Sequence, residues 1–361
     1  MRKKAYFKSV TIFLSILLVF SQLQLFSLPA YGETVSDQPL LFRSVGVAQS
    51  GTTYYVDGEG GNNANDGQSP ASAWRDFEKV NQTEFQPGDH LLLNAQSTWN
   101  NQLLHPKGNG TAAQKIVIDF YDTNDKGETI FETTRRPIIN GGGTYSTGTF
   151  KRAISGAVQL VNQEYWDISN LEVTNTPELD NLEGYKKPGD AQRAGILVLG
   201  YEQNRTFNSV TIRNNYVHDV QTEYYLNLSG NTATKRLKAV GGIIVLGSWF
   251  DENGNVVTAA NDHRTTTGFN DILIENNVIQ RVGLEGIRTK ADSDTSRGNT
   301  FYKTFSNITI RNNYLEDIAG DGIVLSEAKS GGVVEGNVAV RMCNADYGTQ
   351  NYAGVWAMSV D

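Results

Sequence analysis

Two cations and two carboxylates crowd into a short stretch where their neighbours in sequence pattern are aliphatic. Glu285, Arg288 and Lys290 lie in EGIRTK (285–290), and Asp321 stands just before GIVLS (322–326). A guanidinium can neutralise a bound carboxylate, and a lysine beside another cation releases its proton more readily and can serve as a base. Two carboxyl groups held a short distance apart can instead cleave a glycosidic bond, one as acid and one as base or nucleophile. These residue types therefore permit elimination on an acidic sugar chain or hydrolysis of a glycoside. Which chemistry applies depends on how the chain places them.

The placing elements are repeats. VTIRNNYVHDV (210–220), ILIENNVIQRV (272–282) and ITIRNNYLEDI (308–318) are clear copies of one phrase, and WDISNLEVTNT (166–176) and GVVEGNVAVRM (332–342) are weaker ones. Each is a short apolar strand, an asparagine corner and a second apolar strand. Such a unit cannot bury its apolar side alone and must stack on its neighbours, which predicts a parallel β-solenoid. A second signal alternates with it: GILVL (195–199), GIIVL (242–246), GIRTK (286–290), GIVLS (322–326) and GVWAM (354–358). The period of two points Ile196, Ile243, Ile287, Ile323 and Val355 inward. Leu197, Ile244, Arg288, Val324 and Trp356 then form one outward row, and Leu199, Leu246, Lys290, Ser326 and Met358 the next. Stacked corner asparagines are expected to hydrogen-bond from coil to coil.

Loop lengths suggest where a ligand would lie. Segments entering the glycine strands are long at 177–194, 221–241 and 343–353 and very short at 283–285 and 319–321. That pattern predicts walls flanking an open floor of Glu285, Arg288, Lys290 and Asp321, a groove suited to a chain-like ligand. The walls carry Tyr185, Lys187, Tyr224, Tyr225 and Lys238, cations and rings that suit sugars.

The ends and composition bound the rest. Residues 1–32 have a basic start, an apolar run from Val10 to Leu28 and a small-residue site at Ala30-Tyr31-Gly32, the layout of a secretory signal peptide. Residues 33–51 read as a linker and 52–361 as the solenoid domain. Ser72 is expected to cap a short helix over 72–82, with Trp74, Phe77 and Val80 on its buried side, closing the first coil. AGVWAMSVD (353–361) resembles the start of another coil, so the sequence is expected to be a fragment lacking later coils and a cap. Without its leader the chain's formal charge moves from −8 to about −12, which argues against nucleic acid and anionic membranes as partners. The single cysteine, Cys343, allows no internal disulfide.

Taken together, YYVDGEGGNNANDGQSPASAWRDFEKVN, FQPGDHLLLN, LLHPKGNG, IVIDFY and IINGGG, followed by the NN phrases and GDGIVL, resemble exported bacterial right-handed parallel β-helix proteins of the pectate-lyase-like superfamily. The resemblance covers about 52–361. It implies a fold more sharply than a reaction, because lyases, glycoside hydrolases and binding proteins share it. Alginate and pectate are the substrates it implies, which sets β-elimination as the main expectation. In that scheme Arg288 neutralises the uronate, Lys290 or Lys238 is the base, and Tyr225 protonates the leaving oxygen. Tyr224, Lys187, Tyr185, Asp321 and Glu285 bind substrate. The alternatives are a hydrolase using Glu285 and Asp321 as its carboxyl pair, and a non-catalytic carbohydrate-binding β-helix. A secreted monomer acting on a polysaccharide is expected. No cofactor or metal site is expected, calcium being the one ion admitted as an alternative neutraliser. Asp57, Glu59, Asn62 and Asp66 lack the calcium-loop pattern and read as a turn.

Overall fold

The computed structural model describes residues 41–361 apart from 49, 144–152, 177–190, 203–204, 222–239, 248–266, 292, 295–299, 302–303, 345–352 and 359–361. Among the described residues, three long sheets of ten, seven and six strands run side by side, with almost every pairing parallel. From Ile116 onward each coil contributes a strand to each sheet. In one coil these are Phe305–Arg311, Tyr314–Ile318 and Ile323–Ser326. The architecture is the expected parallel β-solenoid.

The asparagine corner works because its two residues do different jobs. Asn214, Asn276 and Asn312 turn the chain with φ of 56, 56 and 54°, a left-handed conformation that asparagine tolerates better than most residues. Asn215, Asn277, Asn313 and Asn337 point inward, each side-chain oxygen accepting from the backbone N–H of the equivalent residue one coil earlier at 2.9–3.0 Å. Their amide nitrogens donate to strand carbonyls of Ile168, Ile212, Ile274 and Ile310. The weaker copy follows the same logic. Asn170 makes the turn, and Leu171 fills the inner slot as plain core, its N–H served by Asn215.

The glycine strands lie in the six-stranded sheet in the register their pattern implies. Ile196 pairs with Ile243, Ile243 with Ile287, Ile287 with Ile323 and Ile323 with Val355. The four isoleucines are fully buried in the core, while Val355 in the last described coil is 55 % exposed. The leading glycine also faces inward. A methyl group on Gly286 would lie 2.5 Å from Leu315 Cδ2 and 2.4 Å from the Gly322 carbonyl oxygen, so the close approach of the two sheets admits no side chain there. Two successive inward residues, Gly286 and Ile287, leave Glu285 and Arg288 on the same outer side.

At the other end the helix is shorter than expected and begins later. It spans Phe77–Gln82, capped by Asp76, whose side chain accepts from the Glu78 N–H. Ser72 instead ends a 3-10 turn, Pro70–Ser72, capped by Ser69. The reason is Trp74, which is held extended: its N–H donates to the Tyr55 carbonyl, and its own carbonyl accepts from Asp57. Trp74, Phe77 and Val80 are all buried, as their spacing implies. Within the stretch read as a linker, Phe42–Arg43 pairs antiparallel with Glu132–Thr133, and Val45 N–H donates to Asp119.

Candidate active site

The expected floor residues do come together, but they do not form an open floor. Leu197, Ile244, Arg288 and Val324 occupy one registered outward row, and Leu199, Leu246 and Lys290 the next. Glu285 and Asp321 are fully buried, Arg288 is 2 % exposed and Lys290 is 7 % exposed. The trough predicted from loop lengths is therefore corrected: this face of the sheet is covered. Tyr185, Lys187, Tyr224, Tyr225 and Lys238, expected on the walls, lie outside the described residues.

The cations are already matched by carboxylates of the chain itself. Arg288 Nη1 lies 2.8 Å from Glu285 Oε1 and 3.8 Å from Asp321 Oδ2. Two oxygens so close to one nitrogen are no more than about 7 Å apart, a separation that includes the range used by retaining glycosidases. Asp321 Oδ1 accepts from the Ala353 N–H at 2.7 Å, which fixes its orientation. Nearby, burial and the negative charges of Asp321 and Glu285 raise the pKa of the Cys343 thiol.

A third carboxylate, Glu327, escaped sequence reasoning. It is fully buried and accepts from the Ala291 N–H at 3.1 Å. Burial pushes its pKa up, while the charges of Lys290 and Arg288 pull it back. Its signal was positional: Gly200 pairs with Gly247, and Ala291 and Glu327 follow in the next two coils. An acid that breaks a column of small residues is the same kind of oddity that drew attention to Arg288.

Among the described residues the cluster brings together three buried carboxylates, Glu285, Asp321 and Glu327, and two buried cations, Arg288 and Lys290. The Arg288 guanidinium, expected to neutralise a uronate, is engaged by Glu285, and a uronate would have to compete with that carboxylate. Lys290 sits in the field of Glu327. What the cluster can do is carboxylate chemistry.

Elsewhere the lesser candidates resolve into structure. Asp57 Oδ1 accepts from the N–H groups of Glu59 and Gly60, Asn62 Oδ1 from Ala64, and Asp66 Oδ1 from Gln68, so these side chains build turns. Among the described residues no three or more His, Cys, Asp or Glu side chains gather as a metal would require. His218 lies between Asp219 at 2.5 Å and Glu172 at 3.1 Å, and Arg281 pairs with Asp219 at 2.7 Å.

No protein-family model matches the chain. It is 27 % identical to a lacto-N-biosidase from Bifidobacterium longum subsp. longum, in an alignment covering 86 % of this chain and 22 % of that protein. Its fold matches the crystal structure of a GH136 lacto-N-biosidase from Eubacterium ramulus with a TM-score of 0.64. That match has 24 % identity and covers 85 % of this chain and 49 % of that one. The chain thus spans about a fifth of the curated relative and about half of the solved one. A rhamnogalacturonan lyase aligns at a TM-score of 0.39 and 16 % identity over 80 % of this chain and 62 % of its own, too distant to bear on reaction. These findings overturn β-elimination as the main expectation, because the relatives with sequence and fold likeness are glycoside hydrolases rather than lyases.

Proposed function

We propose that this chain forms part of a glycoside hydrolase acting on a glycan that carries a lacto-N-biose unit, with Glu285 and Asp321 as its carboxyl pair. The observation that carries the reading is the convergence of both carboxylates on the Arg288 guanidinium, from equivalent positions in successive coils. In the preceding coils that position holds Ala194 and Gly241, which can do no such chemistry. Between them the two carboxyl groups would supply the acid and the nucleophile or base. Arg288 Nε is buried and has no hydrogen-bond partner among the described residues. A substrate oxygen would satisfy it. The likeness to lacto-N-biosidases supports the substrate class.

The proposal includes a right-handed coil sense, the usual hand for crossovers between parallel strands, and export of the chain, from the basic and apolar character of residues 1–32. Glu285→Gln and Asp321→Asn should each lower kcat/KM on an aryl lacto-N-bioside by about a thousandfold or more, with little change in KM. A second reading rests on the full burial of both carboxylates: a structural ion cluster within a non-catalytic carbohydrate-binding β-helix. In that case the same variants lower the melting temperature and leave turnover, or its absence, unchanged.

A further inference from the structure

A pocket lies on the outer face of the seven-stranded sheet and shares no residue with the carboxylate cluster. Its volume is about 630 Å³, inside the range of roughly 300–1,000 Å³ common for small-molecule sites. The floor is a registered column from three successive coils, Ile138, Glu172 and Tyr216. Phe42, Gln96 and Arg136 stand around it.

The pocket's polar groups are fixed but not used up. Arg136 lies over the Phe42 ring at 3.8 Å, and its Nη1 donates to the carbonyls of Leu171 and Asn214. Its Nε and Nη2 make no hydrogen bond among the described residues. Glu172 Oε1 pairs with His218 Nε2 at 3.1 Å, and the His218 ring stacks on Tyr216 at 4.1 Å. Among the described residues Arg136 and Glu172 form no ion pair with each other, although both line the same space. A fixed donor and a fixed acceptor bound one cavity without closing on one another.

We propose that this pocket is a non-catalytic subsite for a neutral sugar ring of a glycan. A hydroxyl both donates and accepts hydrogen bonds, so adjacent sugar hydroxyls can accept from Arg136 and donate to Glu172 at once. The ring's C–H face can rest on Tyr216 and Ile138, apolar surface with a polar rim. Of the two lining cations, Arg135 faces Asp122 at 3.8 Å and Arg136 is offset by Glu172, which favours a neutral sugar over a uronate. The inference does not require Glu285 or Asp321 to be catalytic.

Saturation-transfer NMR with galactose, N-acetylglucosamine and lacto-N-biose tests it, on the intact chain and on Glu285→Gln, Glu172→Gln and Tyr216→Leu. Saturable binding should appear in the intact chain and in Glu285→Gln, and weaken by about tenfold or more in Glu172→Gln and Tyr216→Leu. Thermal melting identifies a variant that fails to fold, and Tyr216→Leu then decides if Glu172→Gln is lost through its bond to His218. Three outcomes would overturn the proposal: no binding of any of the three sugars, unchanged binding in a folded pocket variant, or loss confined to Glu285→Gln.

Discussion

Arg288 shows how a side chain's chemistry is set by what surrounds it. Beside solvent it would be a free cation. Here it is buried 2.8 Å from Glu285, and removing one partner of such a pair costs about 3–5 kcal/mol because the other is left charged and unmatched. His218 offers a test of the same principle at a partly exposed position. Burial acts to lower its pKa, but hydrogen bonds to Glu172 and Asp219 outweigh burial and raise it. Asp219 moves the other way, held down first by Arg281. With the folded pKa above the unfolded value of about 6.5, the contribution of His218 to stability is complete below that pH and is lost as pH rises through the folded value. Thermal melts of His218→Gln should therefore show a larger loss of stability near pH 5.5 than near pH 9. Equal losses at both would contradict a charged His218.

At the level of the coil, the asparagine corner is the part that a single substitution tests best. Asn277 accepts from Asn215 N–H and donates to the Ile212 carbonyl, both buried. Asn277→Ala leaves those groups unmatched and should cost on the order of 3 kcal/mol, read as a lower midpoint of urea unfolding. An unchanged midpoint would remove the ladder from the account. Much of this level was legible in the residues themselves. Alternation fixed which of Ile287 and Arg288 faces the core, whereas the close approach of the two sheets at Gly195, Gly242, Gly286 and Gly322 emerges only from the packing. The burial of the floor was not legible, because loop length reports how much chain enters a strand and not what covers its face. Glu327 was missed for a related reason. It lies just beyond GIVLS, and its equivalence to Ala291 emerges only once strand register is known. The helix boundary was misplaced because Trp74 has helical spacing to Phe77 but is recruited by Tyr55 into extended pairing.

For the whole molecule, a solenoid offers each sheet's outer face as a separate surface. One face carries the buried carboxylates of two adjacent coils, and another carries the pocket around Glu172 and Tyr216. Separating cleavage from glycan holding would let a long ligand be gripped at one face and cut at another. The composition is consistent with that use, since a net acidic chain disfavours polyanions. The most direct test of the central claim is to incubate the chain with a lacto-N-biose-terminated glycan in water enriched in heavy oxygen and weigh the products. Hydrolysis by the carboxyl pair predicts released disaccharide with one heavy oxygen at its anomeric carbon. Absence of any released saccharide, or a product lacking solvent oxygen, would contradict it.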